Sequence, residues 1–329
     1  MILTRAPLRI PLGGGGTDLP SYYSRFGGFI LSVAINKYVY ICLNRPAADD
    51  LLRLKYSRYE ETGDVDEIMH DLVRPALKLL KLSSGLEIVS MADVPAGTGM
   101  GSSGSYLVAL LTALYSFRRE HVPTQALAEL ACHIEMNLAE HPAGKHDHYL
   151  ATFGGLTCLD IQADGKVQVS PLDIPIHVAE ELRASLLLFY TGIKRPSSTV
   201  LDEQRKDTEE GKSDVVDSLH KTKEIGLRIK SALQEGDLTQ FGNLLDEHWQ
   251  NKKRRSSKIS DAHIDRLYQL ARDNGALGGK IMGAGGGGFF MFYCPVVNKS
   301  AVREAMRVEG LREMPFDFDY EGAKVLVNF

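Results

Sequence analysis

The stretch that most constrains the fold of this chain is a glycine-rich loop that runs directly into an apolar helix. Residues 95–105 read Pro-Ala-Gly-Thr-Gly-Met-Gly-Ser-Ser-Gly-Ser, and an apolar run begins at Tyr106. Because glycine has no side chain, the backbone N–H groups of such a loop can close on an anion, and the following helix adds its positive N-terminus. The loop lacks the Gly-Lys-Ser or Gly-Lys-Thr ending of a Walker A motif and the spacing of a dinucleotide-binding fingerprint. The pattern predicts an anion site, and a glycine turn capped by serine is the alternative.

Two further glycine clusters lie far from this loop in the sequence. The first, Gly13–Gly16, precedes Thr17 and Asp18, and the Asp18 carboxylate could accept hydrogen bonds from ligand hydroxyl groups. A flexible turn with Asp18 at a cap is the alternative, and the sequence does not decide between the two. The other cluster spans residues 278–288 and leads into an apolar strand. A glycine hairpin is the simpler explanation, but so many glycines favour close backbone approach to a ligand or to the other loops.

The composition is that of an ordinary globular protein. Lys and Arg total 38 against 42 Asp and Glu, a net charge of −4, so we expect no nucleic-acid partner. The four cysteines lie far apart among apolar residues, which is typical of reduced thiols in a cytoplasmic protein. The most apolar helix candidate, residues 106–117, is too short to span a bilayer, and the first residues lack the apolar core of a signal peptide. We therefore expect a cytoplasmic protein with no membrane partner.

Hydrophobic periodicity predicts alternating groups of strands and helices. The expected strands include residues 8–12, 28–35, 38–43, 86–90, 156–161, 184–190, 289–294 and 324–329. The expected helices include residues 64–82, 106–117, 124–140, 200–209, 214–235, 238–255, 261–274 and 298–308.

Four details of this pattern can be tested against a structure. Pro11 lacks an N–H group and predicts an edge position for its strand. Residues 36–37 are expected to separate two neighbouring strands, and Thr124 is expected to cap its helix. The basic run Lys252–Arg255 could contact phosphate, but a solvated helix end favoured by the helix dipole is the preferred interpretation.

A segment dense in ionisable groups supplies candidates for chemistry. Residues 141–148 read His-Pro-Ala-Gly-Lys-His-Asp-His, a spacing that matches no zinc motif. A phosphate-holding loop, a hydroxyl that can bind Mg²⁺ on the phosphates and a nearby carboxylate are the parts that a phosphotransferase requires. Asp147 is the candidate base, kept ionised by a neighbouring Lys or Arg. Glu135, one position after the apolar Ile134, is by itself typical of a solvated surface residue.

The three glycine stretches, in this order and at these separations, resemble the three motifs of the GHMP kinases. Residues 6–18 resemble the first motif, Pro95 to Ser103 matches the phosphate loop Pro-x-Gly-x-Gly-x-Gly-Ser-Ser, and Lys280 to Gly288 resembles the third. The resemblance covers essentially the whole chain. It implies a two-domain α+β fold: an N-terminal ribosomal-protein-like β/α domain over residues 1–180, and a C-terminal ferredoxin-like α/β sandwich with extra helices over residues 181–329. The active site is then expected in the cleft between them.

The resemblance also implies roles for particular residues. Asp147 matches the catalytic base, and Arg9 stands where many members carry a Lys or Arg that stabilises the base and the transferred phosphoryl group. The residues expected to bind the ATP phosphates are Pro95, Gly97, Gly99, Met100, Gly101, Ser102, Ser103 and Gly104. Ser103, with Ser102 beside it, and Glu135 match positions that bind Mg²⁺. The residues expected to bind substrate are Gly14, Gly15, Gly16, Thr17, Asp18, Lys145, His146, Arg195, Gly285 and Gly286.

Within the family, two segments resemble the kinases that phosphorylate the anomeric hydroxyl of D-glycero-D-manno-heptose 7-phosphate on the way to GDP-heptose for capsular polysaccharide. These segments are Gly-Gly-Gly-Thr-Asp-Leu-Pro at residues 14–20 and Ala-Gly-Lys-His-Asp-His-Tyr at residues 143–149. A 7-phosphate requires a cationic pocket, for which Lys145, Lys194 and Arg195 are candidates. The alternatives are a fucose-type or other sugar kinase of the family and a catalytically idle sensor of sugar and ATP. The diphosphomevalonate decarboxylase branch fits these segments less well. The expected partners are a sugar phosphate and ATP, and a homodimer is the candidate assembly.

Overall fold

The computed structural model describes residues 1–193 and 200–329 in full and residues 198–199 by their backbone. The strands of this part of the chain are β1 (Ile2–Gly13), β2 (Gly28–Asn44), β3 (Leu52–Lys55), β4 (Tyr59–Thr62), β5 (Leu86–Ala92), β6 (Leu156–Ile161), β7 (Val167–Pro171), β8 (Leu186–Tyr190), β9 (Gly278–Ile281), β10 (Phe289–Tyr293), β11 (Arg312–Glu313) and β12 (Lys324–Asn328). The α-helices are α1 (Pro20–Phe26), α2 (Val73–Leu79), α3 (Ser102–Arg118), α4 (Thr124–His133), α5 (His146–Phe153), α6 (Ile176–Ser185), α7 (Ser198–Glu209), α8 (Ser213–Glu235), α9 (Leu238–Lys253), α10 (Ala262–Asp273) and α11 (Lys299–Val308). Short 3₁₀ turns occur at Val65–Glu67 and Val296–Asn298, and a π-helical turn, Ile134–Leu138, continues α4.

The described strands form two sheets. The larger sheet has the order β12-β1-β2-β5-β3-β4, with β6 beside the first half of β2 and β7 beside β6. The smaller sheet has the order β11-β8-β10-β9 and is antiparallel throughout. The combination of mixed helices with largely antiparallel sheets confirms the expected α+β class. The last strand, β12, pairs with β1, so the end of the chain returns to the sheet built by its beginning.

The predicted break between two strands at residues 36–37 is wrong, because β2 is one continuous strand along β1. Pro7 pairs with Tyr38 and the next residue, Leu8, pairs with Ile35, so the two residues between them form a bulge. Neither has the positive φ that a tight hairpin turn requires, and a bulge bends the strand without reversing it. Pro11 lies beyond the part of β1 that pairs with β12, so it has a neighbouring strand on one side only. The edge expectation for Pro11 is thus confirmed locally.

Two predicted helices are shorter than the sequence pattern indicated. The expected helix at residues 64–82 consists of a 3₁₀ turn and the separate α2, whose first turn contains Pro75. The expected helix at residues 124–140 ends as α-helix at His133 and continues as the π-helical turn. Thr124 is the first helical residue rather than the cap, which is Pro123, and no side chain caps this helix.

A single hydrophobic cluster joins the larger sheet to the smaller one. It includes Leu8 and Ile10 of β1, Ile225 of α8, Phe241 of α9 and Met291 of β10. Burial of apolar surface from both sheets in one cluster therefore holds together the walls of the cavity described below. None of the described helices is long and apolar enough to cross a membrane.

The basic end of α9 is not the solvated helix end that the sequence favoured. Lys252 is 8% exposed and Arg255 is 7% exposed, whereas Arg254 between them is exposed. The Lys252 ammonium donates to the carbonyl oxygens of Ile281 at 3.1 Å and Gly283 at 2.6 Å. The expectation is wrong because the third glycine cluster packs over this turn of the helix and removes it from water.

Candidate active site

The glycine-rich stretches meet around a cavity of about 950 Å³. A Cβ added at Gly99 would lie 2.6 Å from the carbonyl oxygen of Met282, and one added at Gly283 would lie 2.6 Å from the Cα of Gly99. A Cβ at Gly288 would lie 2.3 Å from the carbonyl oxygen of Thr98. No side chain fits at such distances, so glycine is required where the two loops touch. The expected close approach of the third cluster to another loop is confirmed.

The loop before α3 is built on glycines in a conformation that other residues rarely adopt. Gly97, Gly99 and Gly101 have φ values of 76°, 78° and 79°, the left-handed region that glycine adopts without strain. The helix begins at Ser102, and its cap residue, Gly101, has no side chain to accept a hydrogen bond from the first turn. The Ser102 hydroxyl is buried without a hydrogen-bond partner in the described structure. The N-terminus of α3 is therefore open to an anion in the cavity.

Most of the predicted phosphate-binding residues lie on the cavity wall. Those that line it are Pro95, Gly97, Gly99, Gly101, Ser102 and Ser103. Met100 instead points into the hydrophobic core, where it is fully buried. Gly104 packs against the predicted base, since a Cβ there would lie 2.8 Å from the Cβ of Asp147.

Asp147 and Arg9 form an ion pair at the edge of the loop. The Arg9 Nε and Nη2 atoms each lie 2.7 Å from Asp147 Oδ1, and Nη1 donates to the carbonyl oxygen of Gly99 at 2.7 Å. Both side chains line the cavity, and Arg9 is almost fully buried. β1 thus brings an arginine, and the first turn of α5 brings a carboxylate, to the same point beside the glycine-rich loop that precedes α3.

His146 joins Asp147 to Asp18. Its Nδ1 lies 2.6 Å from Asp18 Oδ2, and its Nε2 lies 2.9 Å from Asp147 Oδ1. The carboxylate of Asp18 reaches this position because Gly144 has no side chain: a Cβ there would lie 2.0 Å from Asp18 Oδ2. Two carboxylates, one imidazole and the Arg9 guanidinium therefore form a continuous charged row along one wall of the cavity.

Burial and neighbouring charges act in opposite directions on these groups. Burial by itself raises the pKa of Asp147, but the charges of Arg9 and His146 outweigh it and hold the pKa well below its usual range. Burial lowers the pKa of His146, but the carboxylates of Asp147 and Asp18 prevail and raise it to about 9. Burial likewise raises the pKa of Asp18, whereas His146 brings it below the usual value. At neutral pH the row holds two carboxylates with a protonated imidazole between them.

The proton on His146 is expected to contribute to stability in a defined pH range. Its pKa rises from 6.5 in the unfolded chain to about 9 in the folded one, so the contribution is fully present below about pH 6.5 and lost as the pH rises through about 9. A shift of this size corresponds to at most about 3 kcal/mol. Between pH 6 and pH 9.5 the free energy of unfolding, measured with urea, should fall more in wild type than in His146→Gln. His121→Gln, at an exposed histidine, is the matched control, and equal losses in wild type and His146→Gln would contradict the assignment.

Glu135 lies in the cavity wall. Its sequence context alone had suggested a position at the surface. It is 3% exposed, in the π-helical turn after α4, and His148 Nε2 lies 2.6 Å from its Oε2. Burial raises its pKa, but the neighbouring imidazoles of His141 and His148 and the Ser103 hydroxyl outweigh burial and lower the pKa to about 2. A carboxylate that is buried, ionised and next to a cavity-lining serine hydroxyl is suited to bind a cation.

The structure does not bring every predicted substrate residue to the cavity. Gly15, Gly16, Asp18 and His146 line it, whereas Gly14, Thr17, Lys145, Gly285 and Gly286 do not. The Lys145 ammonium is engaged elsewhere, with Glu129 Oε2 at 2.9 Å and the carbonyl oxygen of Gly165 at 2.7 Å. The hydroxyl of Thr17 bonds the carbonyl oxygens of Gly14 and Phe29, which holds the loop itself together. Lys194 and Arg195 lie outside the described residues.

The cavity is also lined by basic residues that the sequence did not single out as site residues, among them His248, Lys252, Arg255 and Lys280. The sequence signals were the basic run at the end of α9 and the lysine inside the third glycine cluster.

The family was decided by comparison with known proteins. The GHMP kinase N-terminal domain matches residues 69–155, and the GHMP kinase C-terminal domain matches residues 229–309. A Campylobacter jejuni protein named D-glycero-alpha-D-manno-heptose 7-phosphate kinase is 30% identical to this chain over 98% of both chains. The chain belongs to the GHMP kinase family. Its relatives are named kinases, among them a Pyrococcus furiosus galactokinase that is 26% identical over 87% of each chain. This GHMP kinase is an ATP-dependent phosphotransferase.

A solved GHMP kinase structure has the same fold along its whole length. The crystal structure described as a D-glycero-D-manno-heptose 1-phosphate kinase from Bacteroides thetaiotaomicron superimposes with a TM-score of 0.81 and 26% identity, covering 100% of both chains. The fold predicted from the glycine motifs is therefore confirmed.

Proposed function

We propose that this GHMP kinase transfers the γ-phosphoryl group of ATP to the anomeric hydroxyl of D-glycero-D-manno-heptose 7-phosphate. The observation that supports this most directly is the row Asp18–His146–Asp147 beside the phosphate loop, because it joins a hydroxyl-binding carboxylate to a candidate base on one cavity wall. The names of the Campylobacter and Bacteroides proteins, both heptose phosphate kinases, support the acceptor class. The 1,7-bisphosphate product would lead to GDP-heptose for capsular polysaccharide.

In this proposal Asp147 orients the acceptor hydroxyl and takes its proton. The contacts from Arg9 and His146 are made to Oδ1, which leaves Oδ2 as the oxygen to receive the hydroxyl. A carboxylate with so low a pKa is a weak base, so the proton moves late, as the new bond to phosphorus forms and the hydroxyl becomes acidic. Such timing suits phosphoryl transfer, in which bond formation lags behind cleavage and positioning supplies much of the catalysis.

The other charged groups neutralise the transferring phosphoryl group. Arg9, anchored to Gly99 and Asp147, is held where the loop and the acceptor meet, and the N–H groups at the start of α3 face the same space. Preorganised donors of this kind stabilise charge without reorganising during the reaction.

We propose that Glu135 and Ser103 hold Mg²⁺ together with the phosphates of ATP. Among the described residues, no group of three or more histidine, cysteine or acidic side chains is placed to hold a metal ion. An ion here would take its remaining ligands from phosphate and water, which is how Mg²⁺ binds in kinases. When bound, the ion would offset part of the negative charge of the ATP phosphates.

Replacing Glu135 with glutamine is expected to raise the Mg²⁺ concentration for half-maximal activity. Changes next to metal ligands alone alter affinity by about 10- to 100-fold, so loss of a ligand carboxylate should cost at least tenfold. The measurement is a Mg²⁺ titration at saturating ATP and acceptor. Glu140→Gln, at an exposed glutamate just beyond the π-helical turn, is the control. An unchanged Mg²⁺ requirement in Glu135→Gln would remove Glu135 from the metal site.

The proposed acceptor is tested by ATP consumption with a panel of compounds. The panel contains D-glycero-D-manno-heptose 7-phosphate, sedoheptulose 7-phosphate, mannose 6-phosphate, fucose, galactose and mevalonate. We expect the highest kcat/KM for the heptose 7-phosphate, and phosphorus NMR of the product should show a new phosphate coupled to the anomeric proton. Turnover of fucose alone would transfer the assignment to a fucose-type kinase. Bound ATP with no turnover of any acceptor would support the sensor alternative.

Three further predictions from the sequence remain predictions: the domain boundary between residues 180 and 181, a homodimer and a cytoplasmic location.

A further inference from the structure

Among the buried basic side chains that line the cavity, four form no ion pair with a carboxylate of the described residues: His248, Lys252, Arg255 and Lys280. His248 and Lys280 are each 2% exposed, and Lys252 and Arg255 are less than a tenth exposed. We call these four residues the cation cluster. Burial and the neighbouring cations hold the pKa of His248 well below its usual value, so its imidazole is neutral in the free protein. Side chains this basic are almost never buried without a compensating charge, because removing a charge from water costs several kcal/mol.

The protein partners of the cation cluster are all neutral. The Lys280 ammonium donates to the carbonyl oxygen of Leu12 at 3.2 Å. Arg255 Nε donates to Ser218 Oγ at 3.1 Å and Nη1 to the carbonyl oxygen of Gly15 at 3.3 Å, while Nη2 contacts Thr222 Oγ1.

No salt bridge joins the cluster to a carboxylate within the described chain, and residues 194–199 contain no Asp or Glu in the sequence. Both ring nitrogens of His248 lack a hydrogen-bond partner in the same part of the chain, although the side chain is buried against the cavity. The cluster therefore has unused donors and unbalanced positive charge.

The electrostatics of the free protein show the cost of this arrangement. Burial, followed by the charges of Arg255 and Arg9, lowers the pKa of Lys252 to about 7. Burial and the neighbouring cations also bring the pKa of Lys280 well below its usual value. Burial lowers the pKa of Arg255 to about 10. A bound anion would offset this mutual repulsion, and all four residues line the cavity that such an anion would enter.

We propose that the cation cluster binds the phosphate monoester that the acceptor sugar already carries. This inference rests on the proposed function, since it requires a phosphorylated acceptor. In the proposed function, the phosphates of ATP occupy the glycine loop and the N-terminus of α3. Arg255, by contrast, contacts the first glycine cluster, with Nη1 2.9 Å from the position of a Cβ at Gly16, two residues before Asp18. The cluster thus continues the wall on which Asp18 is proposed to bind the sugar hydroxyls.

This assignment differs from the cationic pocket expected from the sequence, of which Lys194 and Arg195 lie outside the described residues. Lys145 does not reach the cavity, because Glu129 and Gly165 hold its ammonium. Charge-assisted hydrogen bonds from several donors match the three oxygens of a phosphate dianion, and arginine can bind two of them at once. An unphosphorylated sugar would leave the cluster uncompensated, so the cluster should select for sugar phosphates.

The test compares one sugar with and without its phosphate. We measure kcat/KM for D-glycero-D-manno-heptose 7-phosphate and for the unphosphorylated heptose, in wild type and in Arg255→Gln. The ratio of the two values is expected to fall about 10- to 100-fold in the variant, as loss of a charge-assisted hydrogen bond predicts, with the KM for ATP little changed. Arg254→Gln, at the exposed neighbouring arginine, should keep the wild-type ratio.

Other outcomes separate this inference from the proposed function. If another sugar phosphate in the panel is the acceptor, the same ratio is measured with that compound and its dephosphorylated form. If the wild type prefers an unphosphorylated sugar, the kinase assignment stands and the cluster proposal falls. A rise in the KM for ATP in Arg255→Gln, with the acceptor ratio unchanged, would assign the cluster to ATP and overturn the proposal.

A second measurement tests the proposal even if Arg255→Gln fails to fold. In wild type, inorganic phosphate should inhibit competitively against the sugar phosphate and not against ATP. Lys252→Gln should weaken that inhibition by about tenfold or more if the cluster binds phosphate. Inhibition competitive with ATP alone, or none at concentrations well above the KM for the sugar phosphate, would contradict the proposal.

Discussion

Replacing Asp147 with asparagine is expected to lower kcat by about 10²- to 10⁴-fold, with the KM for ATP within about threefold of wild type. The amide keeps the size of the side chain but cannot accept the proton of the acceptor hydroxyl. It also removes the negative charge that Arg9 and His146 contact at 2.7 and 2.9 Å. The measurement is steady-state kinetics with the acceptor identified by the panel.

Loss of a buried charge partner also lowers the free energy of unfolding, so unfolding must be measured on Asp147→Asn as well. Removing one partner of such an ion pair costs about 3–5 kcal/mol. The thermal unfolding of Asp147→Asn should therefore be followed with and without ATP. Asp160→Asn, at an exposed aspartate of β6, should retain wild-type activity. A folded, ATP-binding Asp147→Asn that keeps more than a tenth of kcat would show that Asp147 is not the base.

Gly99→Ala is expected to lower kcat/KM for ATP by at least about 100-fold, because a displacement of about 1 Å in a catalytic loop has effects of that size. The added Cβ would lie 2.6 Å from the carbonyl oxygen of Met282 and 2.9 Å from its carbonyl carbon. These are backbone atoms that cannot rotate away, so the phosphate loop and the third glycine cluster must separate. The N–H groups of the loop then move away from the phosphates they are proposed to bind.

The φ of 78° at Gly99 adds strain of about 1–2 kcal/mol for any other residue. Gly310→Ala isolates this contribution, since Gly310 has a φ of 79° and nothing lies within 4 Å of the position that a Cβ would occupy there. Both variants should lose similar stability from the backbone, and Gly99→Ala alone should lose activity with ATP. Equal activities in the two variants would show that the contact between the loops does not position the phosphate loop.

Several features of the site could be predicted from the sequence because they depend on local chemistry. The order Gly97, Gly99, Gly101 with two serines and an apolar run encodes a loop and a helix start, and the structure has both. The pairing of Asp147 with a basic neighbour was expected as well, and Arg9 and His146 provide it.

Other features depended on contacts between residues far apart in the sequence. Glu135 and Lys252 look like surface residues from their neighbours along the chain, yet both are buried. The π-helical turn places Glu135 in the cavity wall, and the third glycine cluster covers Lys252. Lys145, which the sequence places beside Asp147, is instead held by Glu129 on another helix.

The sequence by itself determined the resemblance to the family, the glycine loop with the helix start after it, and the carboxylate expected to act as base, because these reside in short motifs whose backbone conformation is local. Only the tertiary structure decided which cations face the cavity. A charged side chain in a helix can point to water or to the interior, and the choice depends on what packs over it. In this chain the strands and glycine loops that cover the end of α9 bury its basic side chains against the cavity, and they lie up to 240 residues away in the sequence.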